Sequence, residues 1–289
     1  MTEADLRLTQ DIRKILNSGQ KDENPRPKYA DGTPAYTYFI NHVVRQYNLS
    51  KSFPICTLRP IAWKNAIKEI FWIFQDQSNS LDVLENKYKI FWWRDWNSKD
   101  RPGTIGNRYG ETVRRHDLLN KLLKDIKENP YGRRHIMSLW QEDDFKSSDG
   151  LMPCAYETIW NVRGEYLDMA LIQRSGDMLT ASGSGGVNEV QYAALLIMIA
   201  HTTGYKPGMF THFVANEQIY DRHLEAAKEL LKRADAQSLE MNDRKQYIFS
   251  PVRMEFTPST NDFYKYSIDD FHLIGYEPIN PQLKLELGI

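Results

Sequence analysis

Residues 154–175 read CAYETIWNVRGEYLDMALIQRS, and the rest of the chain can be placed around them. Cys154 to Val162 is rich in β-branched and aromatic residues, and so is Tyr166 to Ile172. A short turn containing Gly164 separates the two runs, which predicts an antiparallel hairpin. In a hairpin the residues just outside the far ends become neighbours. Pro153-Cys154 therefore meets Gln173-Arg174-Ser175, although Cys154 and Arg174 lie twenty positions apart (174 − 154). A permanent cation beside a thiol favours the thiolate, which is the nucleophilic form. One stretch thus predicts two strands of a sheet and a candidate nucleophile at their mouth.

Downstream, Ser182 to Gly186 is a Gly/Ser loop, and Asn188 stands at the start of a long apolar helix from Glu189 to Thr203 that Gly204 ends. Asn188 reads either as an ordinary N-cap or as an amide aimed at a ligand. Phe210 to Ala215 is a strand, and Gln218-Ile219-Tyr220 leads into an amphipathic helix running to about Arg233. Tyr247 to Phe256 and Tyr264 to Tyr276 are strand-like, and the end of the chain, from Gln282 to Ile289, alternates apolar and polar residues.

Upstream, Glu3 to Asn17 has helical spacing. The loop from Asn24 to Pro34 carries Arg26 and Lys28, either as a solvated surface or as a basic loop that closes over a phosphate. Pro54 to Pro60 reads as a short strand, and Ile61 to Gln77 as a mostly apolar helix. Glu69 sits among its apolar positions. A carboxylate there either reaches water at the boundary or, if buried, tends to hold its proton. Leu81 to Tyr88 is a short helix. Trp92, Trp93 and Trp96 form a cluster that suits a core or a platform for a flat heterocycle. A Gly-rich loop ends in Arg108-Tyr109-Gly110, Thr112 to Asn129 is one amphipathic helix, and Arg133-Arg134 opens a strand running to Trp140. Two adjacent arginines there suggest anion binding or a contact between subunits, although surface salt bridges are the commoner fate of such residues. Helices and strands interleave without a βαβ nucleotide fingerprint. The expected fold is α/β of the α+β type: a single domain, residues 1–289, around a large mixed sheet with flanking helices.

The composition narrows the function. With 289 residues, 41% of them hydrophobic, the chain can bury a sizeable core. A net charge of −1 gives no electrostatic case for DNA or an anionic membrane. No apolar run approaches the ~18 residues of a membrane span, and the polar, acidic N-terminus is unlike a signal peptide. Cys56 and Cys154 are the only cysteines, which fits a reducing cytoplasm better than a disulfide framework. No C-x-x-C, H-E-x-x-H or P-loop occurs, so neither a metal nor a flavin is expected.

Taken in order, Arg26, Glu69, the tryptophan cluster, Tyr109, Arg133-Arg134, Pro153-Cys154, Gln173-Arg174-Ser175-x-Asp177-Met178, Asn188-x-x-Gln191-Tyr192 and Ile219-Tyr220 form a pattern. The chain resembles the folate-dependent thymidylate synthases over essentially its whole length, most specifically from Met152 to His223. The resemblance implies a homodimer with sheets packed back to back. It also implies methylation of dUMP to dTMP, with 5,10-methylenetetrahydrofolate giving both the carbon and the hydride. Cys154 would attack C6 of the uracil. Arg174, Arg26, Ser175 and, from the other subunit, Arg133 and Arg134 would hold the phosphate. Glu69 and Tyr109 would move protons. Asn188 would read the uracil edge, with Gln173, Asp177, Gln218 and Tyr220 completing the nucleotide site. Arg59, Trp93, Trp96, Asp177 and the terminal Ile289 would hold the folate. Gln218 stands where the family carries His, and Arg59 where it often carries Lys. A hydroxymethylase acting on dUMP, UMP or dCMP is the neighbouring chemistry in the same superfamily.

Overall fold

The computed structural model describes residues 1–241 and 244–288. In chain order, α1 (Glu3–Ser18) is followed by β1 (Gln20–Lys21), β2 (Thr37–Asn48), α2 (Trp63–Ile70), α3 (Leu81–Tyr88), α4 (Gly110–His116), α5 (Leu118–Glu128), β3 (Ile136–Ser138) and α6 (Glu142–Ser147). Then come β4 (Ala155–Arg163), β5 (Tyr166–Gln173), β6 (Gly176–Asp177), α7 (Val187–Thr203), β7 (Lys206–Tyr220), α8 (Leu224–Asp235), β8 (Ser238–Met241), β9 (Arg244–Tyr247), β10 (Arg253–Phe256) and β11 (Phe271–Ile274).

The main sheet has the order β1-β2-β7-β5-β4-β3, with β6 beside β7. The β5–β7 pair is parallel, whereas β2–β7, β4–β5 and β3–β4 are antiparallel. The mixed sheet is as expected. The predicted hairpin is β4–β5, in which Arg163 faces Tyr166 across a two-residue turn. Gly164 takes φ +60° there, a conformation that side chains disfavour.

The period-two pattern sorts the two faces. In β5, Leu167, Met169, Leu171 and Gln173 are buried while their neighbours are half-buried. In β7 the buried set includes Phe210, His212 and Val214, and in β2 it includes Val43, Arg45 and Tyr47. The helix α7 touches α2, α5, β5 and β7, which is why it is apolar on all sides.

Several local expectations are corrected. The strand β2 answers to no expectation from the sequence, because Arg45 occupies an inward position that alternation assigns to a hydrophobe. Residues Pro54 to Pro60 form no strand. Cys56 N–H instead donates to the Gly185 carbonyl, and Thr57 N–H to the Asp5 carboxylate at 2.7 Å. The helix expected from Thr112 to Asn129 is two helices, α4 and α5, broken at Asp117 with φ +50°. The helix from Ile61 to Gln77 is α2 continued by a wider π turn over Phe71–Gln75. Gln218-Ile219-Tyr220 ends β7, and α8 begins only at Leu224. Arg133 and Arg134 precede β3. Ile136 N–H turns back to the Arg134 carbonyl, so the strand starts after both arginines. In the stretches from Tyr247 to Phe256 and from Tyr264 to Tyr276, Tyr247 ends β9, β10 and β11 pair with each other, and single turns of 3-10 helix lie between them. No helix among the described residues is long and apolar enough to cross a membrane.

Candidate active site

The hairpin brings Cys154 and Arg174 together as the spacing predicts. Arg174 N–H donates to the Cys154 carbonyl at 2.9 Å. Its guanidinium donates to the carbonyls of Pro153 (3.0 Å) and Met152 (2.8 Å), clamping the segment that delivers the sulfur. Cys154 is half-buried, and its own N–H donates to the Tyr109 hydroxyl at 3.3 Å.

Burial pushes the Cys154 thiol up, while the fields of Arg174 and Arg26 pull it down, and burial prevails. The free protein therefore stores a thiol rather than a thiolate. The two guanidiniums limit the penalty without removing it, so the expectation of a thiolate at rest is corrected. Arg26 lies in an exposed loop, and its field reaches both Cys154 and Tyr220.

Glu69 is buried on α2, among the apolar residues that place that helix against α7. The Trp92 indole N–H donates to Glu69 Oε2 at 2.6 Å. Burial pushes this carboxyl up to about 7, against Trp92, Trp93 and Gln191, which favour the ionised form. Tyr109 is buried at φ +49°, and its ring meets Trp93 edge-on at 5.2 Å. Cys154, Tyr192 and Glu69 all act on its hydroxyl, so the nucleophile, the tyrosine and the buried carboxyl share one locality.

Asn188 is not the N-cap of α7. Gly186 holds that position, and Asn188 lies in the first turn with its side chain free for other partners. Its Oδ1 accepts from Gln173 Nε2 at 3.2 Å, and its Nδ2 donates to Gln191 Oε1 at 3.0 Å. Gly185, at φ +68°, allows this entry: a Cβ there would lie 2.3 Å from the Cys56 nitrogen.

On the far wall, Tyr220 is buried and donates to the Gly288 carbonyl at 3.4 Å. Asp177 accepts from Leu179 N–H and the Thr180 hydroxyl, and its charge reaches Tyr220 and Arg59. Gln218 pairs with Asp177 across β6–β7, and Ser175 lends its carbonyl to Gln173. Arg59 is buried, donating to the Leu179 carbonyl and leaving its Nε without an acceptor. Trp93 is buried against Trp72 and Trp96, and Trp96 is half-buried. Arg133 and Arg134 are exposed and have no ion-pair partner among the described residues. Ile289 lies outside the described residues. Sequence reasoning missed His212 and Glu189, and it named Trp92 and Gln191 only within motifs, without their contacts to Glu69 and Asn188. Only Gln191 had a signal, standing three residues after Asn188 on the same helical face.

A family model described as thymidylate synthase matches residues 7–289. The chain belongs to the thymidylate synthase family. It is 46% identical to the thymidylate synthase of Streptococcus pneumoniae strain 70585 and 45% identical to that of Streptococcus gordonii, in each case over all of both chains. The thermostable thymidylate synthase A of Bacillus subtilis matches it in three dimensions with a TM-score of 0.85 and 32% identity, over 99% of each chain. Among the described residues, no group of three or more His, Cys, Asp or Glu could hold a metal ion.

Proposed function

We propose that the chain methylates dUMP to dTMP, with 5,10-methylenetetrahydrofolate as one-carbon and hydride donor and dihydrofolate as the released product. Membership of the thymidylate synthase family supports the reaction. The observation that carries the roles is the grouping of a half-buried Cys154 with Arg174, Tyr109 and the buried Glu69.

Binding comes first. Arg174, Arg26 and the Ser175 hydroxyl take the phosphate dianion, to which guanidiniums donate in forked pairs. Asn188 accepts from uracil N3–H and donates to O4, with Gln173 behind it, while Asp177, Gln218 and Tyr220 line the sugar side. Cys154 Sγ then adds to C6, and its proton leaves to solvent or a nearby base. The added electron pair makes C5 enolate-like, so that it attacks the methylene carbon. Glu69, poised near neutrality, exchanges protons with O4 and the folate through water. Tyr109 assists loss of the C5 proton. The folate nitrogen leaves the transferred carbon as the C5 proton is lost, and hydride from the folate then adds to the exocyclic methylene and expels the Cys154 thiolate from C6, giving dTMP and dihydrofolate. Trp93 and Trp96 offer a flat apolar wall for its pterin, Arg59 a cation with a spare donor, and Asp177 an acceptor.

The direct test mixes the protein with dUMP and methylenetetrahydrofolate and follows dihydrofolate by absorbance. Dihydrofolate should form in step with dTMP. A hydroxymethylated nucleotide with no dihydrofolate would overturn the reaction. Substituting UMP in the same assay measures how much sugar discrimination remains with Gln218 where the family has His.

The working unit is a homodimer in the cytoplasm, one catalytic domain per chain, with Arg133 and Arg134 completing the phosphate site of the partner. Their exposure supports this, as does the sheet face opposite α7, where Val44 is 55% exposed. Mixing Cys154→Ser subunits with Arg134→Ala subunits, each inactive alone, should restore activity, because one hybrid site then holds both groups. No recovery after verified subunit exchange would refute donation across the interface.

A further inference from the structure

Behind the base-reading amide lies a buried polar chain that the reaction does not use. Gln173 Oε1 lies 3.0 Å from His212 Nε2, and His212 Nδ1 lies 3.1 Å from Glu189 Oε1. Glu189 Oε2 accepts from Gly185 N–H at 2.7 Å, and the carboxylate stands 3.6 Å from Arg45, which also pairs with Asp11 at 2.9 Å. Gln173, His212, Glu189 and Arg45 are all buried.

Donor and acceptor accounting sets the direction of the chain. The Ser175 carbonyl can only accept, and Gln173 Nε2 donates to it at 3.0 Å. The Gln173 carbonyl must then face His212, so His212 Nε2 has to carry a proton. Burial disfavours the Glu189 charge, but His212, Arg45 and Gly185 N–H hold the carboxyl below its ordinary range. An ionised Glu189 can only accept, so His212 Nδ1 has to carry a proton as well. Burial and the Arg45 charge push the imidazole below its ordinary range and prevail over the Glu189 contact, so the second proton is called for by the two hydrogen-bond partners and not by the surrounding field. With Arg45 and His212 positive against Asp11 and Glu189, and Glu217 pushed by burial up to about 7, the cluster can reach charge balance without an unpaired ion.

We propose that His212 is held as an imidazolium and, with Glu189, acts as a positioning pair that fixes the amide polarity of Gln173 and hence of Asn188, so that the site accepts uracil and refuses cytosine. The inference rests on the reading of Asn188 as the base contact. With Gln173 Nε2 donating to Asn188 Oδ1 and Gln191 taking a proton of Nδ2, the free lone pair of Oδ1 suits N3–H, and the second Nδ2 proton suits O4. Cytosine presents the reverse pattern and suits the flipped amide.

Nitrogen-15 NMR of the full-length protein at about pH 7 should show both ring nitrogens of His212 protonated. A singly protonated ring in the wild-type protein would overturn the proposal without any variant. In His212→Phe the Gln173 carbonyl loses its donor, and both amide orientations become populated. The dUMP-over-dCMP preference in binding should fall by about tenfold or more. An unchanged preference would also overturn the proposal. Glu189→Gln should rescue: its amide can donate to Nδ1, leaving a neutral ring with its proton on Nε2, and the preference should stay near wild type while the second ring proton disappears. A preference lost as completely as in His212→Phe would refute the relay. Asn188→Asp tests the underlying reading separately. If that variant still prefers dUMP to dCMP as wild type does, the base contact itself is wrong, whatever His212 carries.

Discussion

Replacing Cys154 with Ser should abolish turnover, lowering kcat by about 10⁴-fold or more, while the Kd for dUMP changes by less than about tenfold. The hydroxyl is nearly isosteric but almost never ionised near neutral pH, so addition at C6 fails. Binding should survive because, in the proposed site, the phosphate is held by Arg174, Arg26 and arginines of a partner subunit rather than by the sulfur. The clamp on the segment before the nucleophile also stays, since it uses only the carbonyls of Met152 and Pro153. Steady-state turnover together with calorimetric dUMP titration separates the two effects. Turnover above about one per cent of wild type would contradict covalent catalysis by this residue.

The second large effect belongs to Glu69→Gln, and it has two signs. Activity should fall by about 10²- to 10³-fold, the range that a lost proton-transfer group commands. Stability should rise, and only above a definite pH. The folded carboxyl is pushed by burial from 4.5 up to about 7. In the folded state it keeps a proton that the unfolded chain gives up. That contribution to stability is complete below about pH 4.5 and is lost as pH rises to about 7, on the order of 3 kcal/mol in all. Gln has no proton to lose. The variant should therefore match wild type within about 1 kcal/mol near pH 4 and exceed it by roughly 3 kcal/mol near pH 8. Denaturant unfolding at the two pH values measures the difference. A variant less stable than wild type at the higher pH would show that Trp92 and Gln191, rather than burial, dominate the site. Glu69 then exemplifies a group kept for chemistry at the expense of the fold.

Where sequence reading worked, it worked through local pattern. The hairpin of β4 and β5 was legible because two runs of alternating residues flank one glycine, and the two ends of such a unit have to meet. The helix α7 was legible for a different reason, as one long apolar run that Gly204 ends. The reading failed wherever a polar residue occupies a buried position. Arg45 hid β2, and Glu189 and His212 left no mark as a pair, because the sequence places them 23 positions apart and on different elements. The break at Asp117 escaped because a left-handed residue inside an amphipathic pattern does not disturb its apolar stripe.

By itself, the sequence determined which side chains are proposed for the chemistry: a thiol, the guanidinium opposite it, a carboxyl in an apolar helix and an amide at the start of another. Those are covalent identities, and local geometry brings the first two together. The tertiary structure alone decided their states. Whether Cys154 rests as thiol or thiolate, whether Glu69 holds its proton near neutrality and which way the Gln173 amide points all depend on how much water each group keeps and which donors face it. These are sums over neighbours distant in the chain, which no local pattern encodes.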